Sequence, residues 1–255
     1  MMNRYEALSR KFQNCEPVLG TQMTVVESTL VLEAMDRDNL DFMLFDNEHG
    51  VYNNERLTNL LQVCRLMGLP SLVRVPDTEY GYIARAMNMG ADGIMLPRVE
   101  TPEQVKIGVE AMRYHPRGRA GCGGFLRFRR GETIDEYQDS RYLLIQIESP
   151  EGMRNLPAML ETYGDEIASV IVGPFDLSIM LGKPGRVVAP EVQAAVREVF
   201  EICGKYHTSC GIYCADREKA KIYRDLGAQV LWFSMELDFL TRGYNETFAE
   251  MLELV

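Results

Sequence analysis

Polar side chains that can do chemistry follow directly after several short apolar runs of this chain. The positions are Asp46, Glu48, His49, Arg74, Gln146, Glu148 and Asp176. Two carboxylates from neighbouring strands can hold a hard divalent cation, and an arginine beside them can neutralise an enolate or a carboxylate. A histidine in an acidic cluster can act as a base near neutral pH. Together these groups are the set that aldol or Claisen chemistry requires.

Each of these residues also has a simpler structural explanation when it is taken alone. Asp176 precedes Leu-Ser and is more typical of a helix cap than of a metal ligand. His49 can be a hydrogen-bonded loop residue, and Arg74 can pair with a structural carboxylate. The chemical interpretation therefore depends on a fold that brings these side chains to one place.

Short apolar runs alternate with helical ones along the chain, and their continuous apolar character indicates strands buried on both faces of a parallel sheet. We predict strands at Val18–Met23, Asp41–Asp46, Ser71–Val75, Gly93–Pro97, Tyr142–Glu148, Ala168–Gly173, Ser209–Tyr213 and Val230–Ser234. Gln146 and Glu148 are two residues apart, so they point to the same side of their strand.

Helical patterns fall between these strands, at Glu55–Met67, Pro102–Arg113, Pro190–Lys205 and Asp216–Leu226. Eight β/α units in about 250 residues predict an α/β fold, a TIM (β/α)8 barrel, as a single domain over 1–255. A doubly wound open sheet is the alternative, but its glycine-rich phosphate loop after the first strand is missing. Since a TIM barrel carries its chemistry at the C-terminal strand ends, the polar residues are expected to meet there.

Composition limits the classes of partner. The net charge of −10 argues against nucleic-acid binding, which needs a basic surface. We expect no membrane span and a cytoplasmic protein, since no apolar run approaches 18 residues and no signal peptide begins the chain. Six cysteines in a domain of this size are expected to be free thiols. Zinc at His207, Cys210 and Cys214 is disfavoured, because Cys210 belongs to a β-like run.

The same residues lie in motifs that resemble the HpcH/HpaI aldolase family, the metal-dependent (class II) pyruvate aldolases related to the citrate lyase β subunit. The motifs are FDNEHG at 45–50, LVRV at 72–75, GADGIMLPRVETPEQ at 90–104, RYHPRG at 113–118, QIESPEGMRNL at 146–156 and VGPFDLSIMLGKPG at 172–185. The resemblance runs nearly from end to end, and GPFDLS and DNEHG are its most specific parts.

The resemblance implies a TIM barrel that cleaves a 4-hydroxy-2-oxo acid reversibly into pyruvate and an aldehyde. It implies a divalent metal ion, Mg²⁺ or Mn²⁺ with Co²⁺ also possible, held by Glu148 and Asp176. Arg74 would stabilise the enolate, and His49, oriented by Asp46, would move the proton of the 4-hydroxyl. The expected pyruvate-binding residues are Gln146, Gly173, Phe175 and Asp176, with the backbone N–H groups of Phe175 and Asp176 on the carboxylate. A homo-oligomer, a hexamer or a trimer, is also implied.

The chain departs from the family pattern at three places. Arg119 is displaced by one position from the arginine of the family's Gly-x-Arg-Gly run, and Gln22 stands where relatives often have tryptophan. The loop that follows Arg119 is unusually rich in arginine, with Arg127, Arg129 and Arg130. That loop is either a solvated segment or subunit contact, or a site for a more acidic or longer acceptor.

Two other functions stay open at the level of sequence. One is cleavage of a citramalyl- or malyl-CoA-type thioester, although no nucleotide site is evident. The other is a metal-binding barrel whose catalysis has been lost. Asp46, His49, Arg74, Glu148 and Asp176 together argue against that loss, but fold alone does not decide between these chemistries.

Overall fold

The computed structural model describes residues 3–35 and 39–254, so the ends of the predicted domain, residues 1 and 255, lie outside it. Eight parallel strands form a closed barrel in which each strand pairs with its sequence neighbour and β1 pairs with β8. The strands are β1 (Val18–Met23), β2 (Phe42–Asp46), β3 (Ser71–Arg74), β4 (Gly93–Leu96), β5 (Tyr142–Ile147), β6 (Ile167–Val172), β7 (Cys210–Cys214) and β8 (Val230–Met235). This closure confirms the TIM barrel and excludes the open sheet.

The helices that surround the barrel begin at conventional capping signals. Thr101 makes a capping box with Gln104 and precedes Pro102 at the first helical position, and Asn53 caps the helix predicted from Glu55. The described helices are α1 (Arg4–Gln13), α2 (Thr29–Met35), α3 (Asn54–Met67), α4 (Tyr80–Met89), α5 (Pro102–Met112), α6 (Ile134–Asp139), α7 (Pro150–Tyr163), α8 (Pro174–Met180), α9 (Pro190–Lys205), α10 (Arg217–Asp225) and α11 (Glu236–Leu252).

Alternation along each strand places one set of side chains inside the barrel and the other against the helices. The apolar interior includes Phe42 and Leu44 of β2, Leu72 of β3 and Leu144 of β5. Two residues further along the same strands, polar side chains replace apolar ones. The interior is therefore apolar in its lower and middle layers and polar at the C-terminal end of the strands.

The N-terminal end of the barrel is closed by α1. Leu8 and Phe12 of this helix are buried in the same apolar cluster as Val18 and Tyr142, which begin β1 and β5. The rings of Phe12 and Tyr142 meet edge to face, with centroids 5.6 Å apart. The barrel interior is thus closed by apolar packing at its N-terminal end.

The arginine-rich loop lies at the closed end of the barrel, which corrects the interpretation of it as an acceptor site. Arg127 is fully buried, with its guanidinium over the rings of Tyr114 and Tyr137. Arg129 donates to Asp92, which precedes β4, and lies 3.8 Å above the ring of Tyr5. Arg130 is exposed, so the solvated-loop interpretation holds for that residue and fails for the other two. Arg127 and Arg129 therefore have a structural role, because their contacts hold the loop against the N-terminal end of the barrel.

Cys210 and Cys214 are the first and last residues of β7, roughly 13 Å apart by strand geometry, so they do not share a zinc ion. Across the described ranges, no helix combines the length and the apolarity needed to cross a bilayer.

Candidate active site

Asp46 and Arg74 form a buried ion pair at the C-terminal end of the barrel. The parallel register of β2 and β3 places them directly opposite each other. Arg74 donates from Nε to Asp46 Oδ1 at 2.9 Å and from Nη2 to Oδ2 at 2.6 Å, which is a bidentate arrangement. Asp46 Oδ1 also accepts from the backbone N–H groups of Glu48 and His49. The guanidinium is therefore held along its Nε–Nη2 edge, and Nη1 points away from Asp46 toward Glu48 and Gln146.

Gln146 and Glu148 project into the same space from the end of β5. Nη1 of Arg74 is 3.5 Å from Gln146 Oε1, and Gln146 Nε2 donates to Glu148 Oε2 at 2.8 Å. Gly173, just after β6, lies against both groups: a Cβ built there would be 2.0 Å from Glu148 Oε2. Only glycine leaves room for this carboxylate, so Gly173 shapes the site by its missing side chain.

Phe175 and Asp176 lie in the first turn of α8, immediately after Gly173. Pro174 occupies the first helical position, and no side chain of the described residues caps this end of the helix. The first backbone N–H groups of a helix lack intrahelical partners, so those of Phe175 and Asp176 are available to a ligand without a competing side-chain cap. The side chain of Asp176 is exposed at the mouth.

Burial and the nearby charge of Asp176 raise the pKa of Glu148 to about 7. Four carboxylates gather at this end of the barrel, opposed by two guanidiniums; they are Asp46, Glu48, Glu148 and Asp176 against Arg74 and Arg98. The excess negative charge and the oxygen donors fit a hard divalent cation. In the described chain no three His, Cys, Asp or Glu side chains are grouped as a metal site.

The imidazole of His49 contacts Glu48 in this structure, whereas the resemblance implied orientation by Asp46. His49 Nε2 is 3.7 Å from Glu48 Oε2, and 63% of the histidine side chain is exposed. Asp46 reaches only the backbone N–H of His49, because Arg74 occupies both of its carboxylate oxygens.

Glu48, one of the polar side chains that follow β2, and Arg98, which no sequence pattern singles out, also lie in the site. Glu48 is almost fully buried, pairs with Arg74 at 3.2 Å and with Arg98 at 2.6 Å, and its pKa is raised by burial. Arg98 has a left-handed φ of 48°, and its backbone N–H donates to Glu148 at 2.9 Å. The position of Glu48 within the DNEHG motif was a usable signal, but nothing in sequence marked the backbone conformation of Arg98.

Three aromatic rings line the β6–β8 side of the site. Phe175 is 6.2 Å from Tyr213, and Tyr213 is 5.1 Å from Trp232, measured between ring centroids. Gln22, the departure on β1, is buried on the neighbouring strand and donates to Thr24, while its Oε1 has no hydrogen-bond partner among the described residues. Sequence reasoning missed Tyr213 and Trp232 because both read as ordinary apolar strand residues.

Comparisons with known proteins agree with this geometry. The family model for HpcH/HpaI aldolase/citrate lyase matches residues 25–240. The 4-hydroxy-2-oxo-heptane-1,7-dioate aldolase of Klebsiella pneumoniae is 31% identical over 208 residues, 80% of this chain and 78% of that protein. The hydroxypyruvate/pyruvate aldolase of Roseobacter denitrificans is 30% identical over 230 residues, 88% and 89% of the two chains. An HpcH/HpaI aldolase from Desulfitobacterium hafniense has a crystal structure that matches with a TM-score of 0.87 at 26% identity, over 97% of each chain. The chain therefore belongs to the HpcH/HpaI aldolase/citrate lyase family and is an aldolase-type lyase, as its motifs predict.

Proposed function

We propose that this enzyme cleaves 4-hydroxy-2-oxo acids reversibly into pyruvate and an aldehyde. The observation that carries the proposal is the buried Asp46–Arg74 pair, which faces Gln146 and Glu148 at the open end of the barrel. A guanidinium fixed in a site shielded from water is suited to stabilise the oxyanion of an enolate. The names of the two curated relatives, both aldolases, support the same reaction class.

Glu148 and Asp176 are the proposed ligands of a divalent cation, Mg²⁺ or Mn²⁺, with Co²⁺ as a third candidate. The raised pKa of Glu148 supports this assignment, since a bound cation would hold the carboxylate ionised. When bound, such a cation supplies Lewis-acid polarisation of the oxo acid's oxygens. The hydrogen bond from the backbone of Arg98 already orients one oxygen of Glu148.

The remaining residues are proposed to bind and orient the oxo acid. Gln146 would lie beside the pyruvate portion, in the space that Gly173 leaves open. The uncapped N–H groups of Phe175 and Asp176 would donate hydrogen bonds to the substrate carboxylate. Arg74 would direct Nη1 at the 2-oxo oxygen as negative charge develops there.

His49 is proposed as the base that takes the proton from the 4-hydroxyl, directly or through a water molecule. Loss of this proton allows the C3–C4 bond to break, which releases the aldehyde and leaves the pyruvate enolate. The enolate then accepts a proton at C3 to give pyruvate. The imidazole lies 3.7 Å from the carboxylate of Glu48, and the exposed position of His49 gives it access to the acceptor half of the substrate.

The test is a cleavage assay on a panel of 4-hydroxy-2-oxo acids that differ in the aldehyde half, with released pyruvate as the readout. We expect metal-dependent pyruvate release from at least one compound, and none from the Glu148→Gln variant. A matched control is Glu161→Gln, since Glu161 is exposed near the end of α7, away from the C-terminal strand ends. Turnover restricted to a CoA thioester would replace the proposal with the CoA-lyase alternative, and absence of all turnover would favour the inactive barrel.

We also propose that the chain forms a homo-oligomer, a hexamer or a trimer, through α11. Beyond Glu236 this helix is exposed along almost its whole length, and its main contact in the described chain is with β8. Its exposed apolar side chains recur at helical spacing; they are Leu237, Leu240, Tyr244, Phe248 and Met251. An apolar stripe of this length is typical of a subunit interface.

Light scattering on purified variants tests the oligomer. The rings of Tyr244 and Phe248 are stacked on this stripe, with centroids 4.2 Å apart. The double variant Tyr244→Glu/Phe248→Glu is expected to lower the measured mass toward that of one chain. Glu246→Lys changes the charge on the opposite face of the helix and is the matched control. An unchanged mass in the double variant would exclude α11 as the interface.

A further inference from the structure

Trp232 is the only tryptophan of the chain, and it lies beneath the proposed enolate-binding arginine. It belongs to β8, is 2% exposed and packs inside the barrel with Tyr213. The central carbon of the Arg74 guanidinium is 5.2 Å from the centroid of the indole ring. That separation is within the range of a cation–π contact, and the burial of both groups strengthens the attraction.

The contact restrains a motion of Arg74 that Asp46 leaves free. Asp46 holds one edge of the planar guanidinium by two hydrogen bonds. A plane held along one edge can still tilt about that edge, and a tilt would swing Nη1 away from Gln146 and Glu48. The face of Trp232 opposes this tilt from one side, so it adds to the edge contact with Asp46 and to the ion pair of Nη1 with Glu48 in fixing the direction of Nη1.

The edge of the indole ring argues against a role in packing alone. Trp232 Nε1 is buried and has no hydrogen-bond partner in the described structure. A buried donor without a partner is unfavourable, and an apolar side chain of similar size would avoid that penalty. What the indole provides and an aliphatic side chain does not is its π face, which is turned toward Arg74.

We propose that Trp232 is a positioning residue that sets the orientation of Arg74 for enolate stabilisation. The inference rests on the proposed function of Arg74, and it adds a residue of β8 to a site built from β2, β3, β5 and the turn after β6. The indole acts through the guanidinium and makes no contact with the reacting atoms.

Steady-state cleavage by Trp232→Leu and Trp232→Phe tests this role, with Phe42→Leu as the matched control. Phe42 is equally buried inside the barrel but lies at the opposite end of its strand from the site. We expect kcat to fall about 5- to 30-fold for the leucine variant, the range that a desolvated cation–π contact supports. The phenylalanine variant should fall between it and the wild type, because Phe retains a weaker π face. KM for the oxo acid should change much less than kcat.

A double-mutant cycle with Arg74→Lys separates positioning from general destabilisation. If Trp232 acts through the guanidinium, the loss caused by Trp232→Leu should largely disappear in the Arg74→Lys background. The proposal would be overturned if the fold-losses in kcat of Trp232→Leu and Arg74→Lys multiply in the double variant. It would also be overturned if Trp232→Leu has the same kcat as the Phe42→Leu control.

Intrinsic fluorescence provides a readout that does not depend on catalysis, since all tryptophan emission comes from Trp232. In the metal-stripped protein, Arg74→Leu should shift or rescale this emission while Phe42→Leu leaves it unchanged. Unchanged emission in Arg74→Leu would contradict the contact itself. A shifted emission in a protein that cleaves no oxo acid would instead refute the proposed function and leave the Trp232–Arg74 contact standing.

Discussion

Replacing Glu148 with Gln should make the metal-free protein more stable at pH 8. Burial and the charge of Asp176 raise the pKa of Glu148 from 4.5 to about 7 in the folded chain. A raised carboxyl pKa means that the folded state binds a proton more tightly than the unfolded state. This contribution to stability is therefore complete below pH 4.5 and is lost as the pH rises through 7. At 1.36 kcal/mol per pKa unit, the ionised carboxylate costs the metal-free protein about 3 kcal/mol above pH 7.

Glutamine removes the charge while it keeps the shape of the side chain and an acceptor for the backbone N–H of Arg98. Urea unfolding in the presence of a chelator, at pH 5, 6, 7 and 8, measures the difference. The variant should match the wild type near pH 5 and exceed it by roughly 1–3 kcal/mol at pH 8. Added Mn²⁺ should stabilise the wild type increasingly with pH and the variant hardly at all. Parallel pH profiles for the two proteins would refute the assigned environment of Glu148.

Three further substitutions test the base of the barrel and the proposed roles in catalysis. Burial alone would raise the pKa of Glu132, but the hydrogen bonds and charge of Arg141 outweigh it and lower the pKa to about 2. Glu132→Gln should therefore lose roughly 3 kcal/mol at pH 7 in urea unfolding, with the loss shrinking as the pH falls from 4.5 through 2. Arg74→Ala should lower kcat for aldol cleavage by about 100- to 1000-fold, the cost of losing an oxyanion donor, and should also slow pyruvate proton exchange. His49→Ala should lower aldol cleavage by on the order of 100-fold or more and oxaloacetate decarboxylation far less, since the latter has no 4-hydroxyl proton to remove.

The contrary outcomes are specific to each substitution. A Glu132→Gln penalty that stays constant between pH 7 and pH 3 would mean that the ion pair with Arg141 does not hold the carboxylate ionised. Pyruvate proton exchange at the wild-type rate in Arg74→Ala would mean that a group other than Arg74 stabilises the enolate. Equal loss of both reactions in His49→Ala would remove its assigned role as the base for the 4-hydroxyl.

Much of the scaffold could be predicted because its signals are local. Strand runs such as Tyr142–Glu148 were located within one or two residues, since a strand buried on both faces is apolar without interruption. Thr101 and Pro102 fixed the start of α5 by capping chemistry. Closure of the sheet then determined which strand ends meet, so the predicted side chains at the ends of β2, β3 and β5 do face one another.

The features that were missed depend on contacts between residues distant in sequence. The arginine-rich loop looked polar and solvated, because sequence does not show that Tyr5 and Asp92 lie next to Arg129. The contact of His49 with Glu48 could not be predicted, because sequence does not show that Arg74 takes up both carboxylate oxygens of Asp46. Trp232 reads as one more apolar residue of β8, and only the closure of β8 onto β1 places it below Arg74.

The Arg74–Glu148 end of the barrel is proposed to stabilise a pyruvate enolate with the help of a divalent cation. Exchange of the pyruvate methyl protons with D₂O, followed by NMR, measures this directly and requires no knowledge of the aldehyde. We expect no exchange above background in the metal-stripped protein, rapid exchange after addition of Mn²⁺ or Mg²⁺, and loss of that exchange in Glu148→Gln. Exchange that is absent with every divalent metal, or that persists unchanged in Glu148→Gln, would contradict the account.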